Sequence, residues 1–158
     1  MKKAYAVASL ALVIAAGGGV AAQAKTETCE PISKAQVENL FNDFNKAWAT
    51  KDSQTVTALF AKEPLLLPTL SNKPRSTPDE VKDYFDHFLK NSPSARIDTS
   101  TIEIDCHTAS NVGTWTISLT DPATGKQSEV KGRYSFIYRF EDGQWKIDHL
   151  HSSLMPEK

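Results

Sequence analysis

Residues 129–158 read EVKGRYSFIYRFEDGQWKIDHLHSSLMPEK, and the fold is decided by how this stretch turns back on itself. Two runs of β-branched and aromatic residues flank Asp142-Gly143, the dipeptide that best accommodates the positive backbone angles of a two-residue hairpin turn. A long β-hairpin is expected. Strict alternation from that turn pairs Phe140 with Trp145, Tyr138 with Ile147, Phe136 with His149 and Tyr134 with His151 on one apolar face. The other, mixed face then carries Arg139 with Lys146, Ile137 with Asp148, Ser135 with Leu150 and Arg133 with Ser152.

Working outward, the segments before the hairpin also read as strands. Residues 97–105 alternate around Ile102 and Ile104, and residues 111–120 around Trp115, Ile117 and Leu119. The first half of the chain is helical instead. Ser33 with Gln36 forms a capping box ahead of Val37, Leu40, Phe41, Phe44 and Trp48 at helical spacing, so a first helix is expected from about Lys34 to Thr50. Asp52 can cap a shorter second helix, and Leu65–Leu70, interrupted by Pro68, suits a short edge strand. Thr77-Pro78-Asp79-Glu80 opens a third helix to about Asn91 that buries Val81, Tyr84, Phe85 and Phe88. Helices first and a long meander last imply an α+β fold, with three helices packed on one face of a curved, mostly antiparallel sheet.

Met1-Lys2-Lys3, an apolar run and Ala22-Gln23-Ala24 have the three parts of a secretory signal peptide, so residues 1–24 are expected to be removed and residues 25–158 to form one domain. Thr26-Glu27-Thr28 before Cys29 is not a lipobox, and no membrane anchor is expected after cleavage. The protein is then periplasmic or secreted. Losing Lys2 and Lys3 from 18 basic residues leaves an excess of acid over base against 19 carboxylates. That balance argues against nucleic acid and anionic membrane surfaces as partners. Cys29 and Cys106 are an even pair in an oxidising compartment, which favours a disulfide over one buried and one free thiol.

LLPTLSNKPR at 66–75, GTWTISL at 113–119 and DGQWKIDHLHSSLMP at 142–156 resemble the exported bacterial relatives of the calcium/calmodulin-dependent kinase II association domain. That domain is the hub that oligomerises the kinase. The element order resembles the nuclear transport factor 2-like cone fold, which also holds ketosteroid isomerase and scytalone dehydratase. The resemblance spans the chain after its leader and implies self-association, as a homodimer or a larger ring, around a pocketed cone. It implies no kinase activity, because the glycine-rich nucleotide loop and the HRD and DFG triplets are missing from the sequence. The hub's pocket arginines match Lys82, Phe136 and Ser152 here, and the sequence offers Arg75 and Arg133 instead.

Three sets of residues could carry chemistry. His149 and His151 lie two apart on one strand, so both rings project from one face, where they could serve as a general base or as pocket contacts. They supply only two metal ligands, and neither a metal nor a cofactor is expected. Arg75 and Arg133 could hold a small anion, because a guanidinium presents a planar fork of donors, or could pair with nearby carboxylates. Alternation places Arg133 on the face opposite the two histidines unless a β-bulge intervenes. Tyr84, Trp48, Tyr134, Phe136, Tyr138 and Trp145 could line a cavity or form plain core, and His87 reads as exposed.

The expected function is self-association, with Ile137 and Leu150 of the mixed face in the contact, together with binding of a small anionic or polar-aromatic ligand through Arg75, Arg133, Tyr84, His149 and His151. One alternative is a small lyase or isomerase using His149 or His151 as base, with Arg133 or Tyr84 steadying an oxyanion. Another is a partner-binding accessory protein of the envelope.

Overall fold

The computed structural model describes residues 28–156; the expected signal peptide lies outside them. Helix α1 (Lys34–Ala49) starts at Ser33, whose hydroxyl accepts from the Gln36 amide while the Gln36 side chain accepts from the Ser33 amide. Helix α2 (Ser53–Thr57) is capped by the Asp52 carboxylate. Strand β1 (Phe60–Leu67) follows, then helix α3 (Pro78–Phe88), capped by Thr77 and closed by a 3-10 turn at Leu89–Asn91. Strands β2 (Ser94–Ile104), β3 (Thr108–Thr120), β4 (Gln127–Glu141) and β5 (Gln144–Leu154) complete an α+β chain. The strand order is β1-β5-β4-β3-β2, with β1 parallel to β5 and every other pair antiparallel.

The Asp142-Gly143 turn forms as expected, with φ of 50° and 79°. The register beyond it does not. Phe140 pairs with Trp145 and Tyr138 with Ile147, but Ile137 then pairs with His149, Phe136 with Leu150, Ser135 with His151, Tyr134 with Ser152 and Arg133 with Ser153. Asp148 is the extra residue of a β-bulge, and one unpaired residue moves every later side chain to the opposite face. The core requires this shift. Leu150 (3 % exposed) is thereby brought under the helices beside Phe136, and His149 and His151 turn outward.

The inner face of the sheet and the helices share one aromatic core. Phe44 lies at its centre, with ring centroids 4.8 Å from Trp48, 5.3 Å from Phe136 and 6.1 Å from Phe85. Tyr134, Phe136 and Tyr138 are core rather than cavity wall. Trp115 lies flat on the sheet because Gly132 has no side chain; a Cβ there would stand 2.8 Å from the indole nitrogen. A Cys29–Cys106 disulfide ties the segment before α1 to the β2–β3 turn. The Glu30 amide strengthens the tie by donating to the Cys106 carbonyl at 3.2 Å.

Candidate functional site

The open end of the cone holds a chamber between α1, α3 and the inner face of the sheet. Trp48, Phe85, Phe88, Trp115, Ile117 and Leu150 supply its apolar wall, and the loop after β1 contributes Pro68, Thr69 and Leu70. Water centres can reach about 30 Å³ of it, room for roughly two waters. Its neutral polar groups are Tyr84 and the hydroxyls of Thr69 and Ser152, which are hydrogen-bonded to each other across the mouth. No Asp, Glu, His, Lys or Arg lines it among the described residues.

Loop 68–74 is pinned at both ends. Arg75 pairs through its backbone with Leu66, with hydrogen bonds of 2.8 and 2.9 Å. Lys73 bridges to Glu80 at 3.0 Å, and Glu80 also accepts from the Ser76 amide at 3.0 Å. That amide first, and Lys73 second, hold the Glu80 carboxyl down at about 2. The loop can therefore hold Leu70, half-exposed, at the chamber rim.

Arg75 and Tyr84 come together beside this rim. The Arg75 guanidinium lies 5.8 Å from the Tyr84 ring centroid, within cation–π range. Burial pushes the Tyr84 hydroxyl well above its usual range, opposed by the Arg75 charge, so it stays protonated. Arg75 is 9 % exposed; one terminal nitrogen donates to the Lys73 carbonyl and its Nε has no partner. The alternative expectation, that Arg75 pairs with a nearby carboxylate, does not hold among the described residues, where Glu80 pairs with Lys73 and Asp148 with Arg139.

His149, His151 and Arg133 lie elsewhere. The bulge at Asp148 turns both histidines onto the outer face that Arg133 already occupies, so the three do share a face, but not the chamber's. Arg133 donates to the Leu154 carbonyl at 3.3 Å, and Asp148 pairs with Arg139 at 2.9 Å. His149 is half-buried between Ile137 and Leu65, its register partners on β4 and β1. Its Nε2 is buried without a partner, and burial first, then the neighbouring His151, lower its pKa. Leu150, expected on the mixed face, is core, and Ile137 alone of that pair faces outward. Among the described residues no group of His, Cys, Asp and Glu is gathered for a metal ion.

The three positions matched to hub arginines have separate fates. Lys82 pairs with Asp86 at 2.8 Å, Phe136 is buried core, and Ser152 closes the chamber mouth. Sequence reasoning missed Thr69, Ser152 and Leu70 as site residues. The break at Pro68 just before Thr69 and Leu70 was the available signal for those two, since it ends the edge strand and starts a loop beside the α3 cap.

The family model for the calcium/calmodulin dependent protein kinase II association domain matches residues 33–156. The chain belongs to that family. Among solved structures, a candidate association domain of this family from Xanthomonas campestris is 37 % identical, covers 84 % of this chain and 98 % of its own, and superposes with a TM-score of 0.76. A nuclear transport factor 2-like protein from Salmonella enterica is 15 % identical, with 78 % and 92 % covered and a TM-score of 0.69. A candidate dehydratase of the same superfamily from Streptomyces avermitilis is 15 % identical, with 78 % and 97 % covered and a TM-score of 0.70. The last two establish the cone fold that the association-domain family shares with this wider group. No curated protein matches the chain.

Proposed function

We propose that this chain is an exported, self-associating association domain whose cone binds a small molecule without transforming it. The observation that carries the binding reading is the chamber itself. It is apolar, rimmed by the Thr69 and Ser152 hydroxyls, and flanked by a guanidinium that no described carboxylate pairs with, and no described residue lining it is able to take a proton at neutral pH. A lyase or isomerase working through His149 or His151 would need an imidazole within hydrogen-bond reach of substrate. Both imidazoles stand across the sheet from the chamber.

Self-association is the work of the outer face. Leu65, Leu67, Ile137, Val112 and His149 form a half-buried patch there with no described helix over it, the kind of surface that needs cover. Export rests on the leader-like residues 1–24 and on the disulfide.

Native mass spectrometry of protein purified from the periplasm tests these points together. The expected result is a dimer or larger ring starting near Lys25, carrying a retained small molecule that is released on activation. A bare monomer overturns self-association and favours an accessory role toward another envelope protein; a bare oligomer overturns ligand binding alone.

A further inference from the structure

Outside the chamber, across Tyr84, a groove of about 290 Å³ runs between loop 68–74 and α3. Its loop side carries Arg75 and Ser71, its helix side carries Asp83 and His87, and the rings of Tyr84 and Phe88 lie between, stacked at 5.5 Å and 16°. The charges are the notable part. Arg75 is nine-tenths buried, and no ion pair links it to any described carboxylate. Asp83 has no ion-pair partner within salt-bridge distance among the described residues either; its backbone carbonyl accepts from the His87 ring at 2.8 Å, and its exposed carboxylate feels only the longer-range charge of Lys82. Buried polar groups are ordinarily satisfied, and a buried cation without a counter-charge is the costliest exception. Here a buried positive group and an exposed negative group line one groove without forming an ion pair with each other.

Tyr84 and Phe88 belong to both spaces, and Leu70 roofs the join. A molecule lying over the Tyr84 ring therefore meets both charges and can send an apolar branch into the chamber. We infer that the ligand is an amphoteric small molecule of the α-amino acid type, with its carboxylate on Arg75, its ammonium on Asp83 and a short aliphatic side chain in the chamber. The inference rests on the binding reading above and adds the ligand class to it. A simple acid would satisfy Arg75 and leave Asp83 repelling it. A simple amine would do the reverse. Chamber room for roughly two waters, each about 30 Å³ of liquid, limits the branch to about three carbons, which suits valine and is too small for phenylalanine.

Titration calorimetry with L-valine, its deaminated analogue 3-methylbutanoate, its decarboxylated analogue isobutylamine, and L-phenylalanine tests this on the whole disulfide-bonded protein. Valine is expected to bind at least tenfold more tightly than any of the other three. Asp83→Asn, a change at the surface, should weaken valine at least tenfold and leave 3-methylbutanoate unchanged or tighter, while Arg75→Gln should weaken both. If 3-methylbutanoate matches valine and Asp83→Asn moves neither, the amphoteric inference falls and a plain anion site remains. If none of the four binds at millimolar concentration, the inference falls as well. The binding reading then stands or falls on the retained molecule seen by native mass spectrometry.

Discussion

Along β4, Tyr134, Phe136 and Tyr138 are at most 2 % exposed, while Ser135 and Ile137 between them are half-buried and Arg133 and Arg139 are exposed. The same strand thus serves two surfaces. Its inward residues pack against α1, where Phe136 meets Phe41 and Phe44, and join a ring lattice with Trp48, Phe85 and Trp115. Its outward residues meet solvent across a broad patch containing two histidines. The inner face makes the fold and, where the helices stop short, the chamber. The outer face contributes little to the monomer, which leaves it free for association. What the contrast teaches is that burial and polarity in one sheet can be assigned to separate tasks, residue by residue, once the alternation is known.

Substitutions on the two faces should separate those tasks. The largest effect is expected at the centre of the inner face: Phe44→Ala removes a fully buried ring and should cost about 3–5 kcal/mol of unfolding free energy, read from urea denaturation, with any oligomer lost only because the fold is lost. Next, Ile137→Asp on the outer face should weaken self-association by at least tenfold, about 1.4 kcal/mol, as followed by sedimentation. Monomer stability should change by less than about 1 kcal/mol. An equal loss of stability and association in both variants would mean that the two faces are not separate. A smaller effect concerns acid. The folded-state pKa of His149 lies below its ordinary 6.5, so near and below that pH the unfolded chain binds more protons and stability falls as pH drops. His149→Phe should flatten this slope between about pH 6.5 and 5 in thermal melts.

Most of the fold could be read from the chain because its signals are local. Ser33 with Gln36, Asp52, Thr77-Pro78 and Asp142-Gly143 each act within four residues, and each appears where expected. The histidines were misplaced for the opposite reason. A bulge has no composition of its own, and Asp148 reads as an ordinary outward residue until the competing claim of Leu150 on the core is known. The parallel pairing of β1 with β5 joins segments about eighty residues apart and leaves no local trace. Arg75 and Tyr84 were legible as candidates. The Thr69–Ser152 closure was not, since it brings the loop after β1 against a β5 residue 83 positions away.

Asp148 acts on β5 as a single-nucleotide insertion acts on a coding sequence: what lies upstream is read as before, and everything downstream is read in another frame. Homologues aligned across that point will match letter for letter while presenting opposite sides of the strand wherever one has the extra residue and another has not. Functional roles at His149, His151 and Ser152 should accordingly be transferred only between chains that share the insertion, counted back from the Asp142-Gly143 turn.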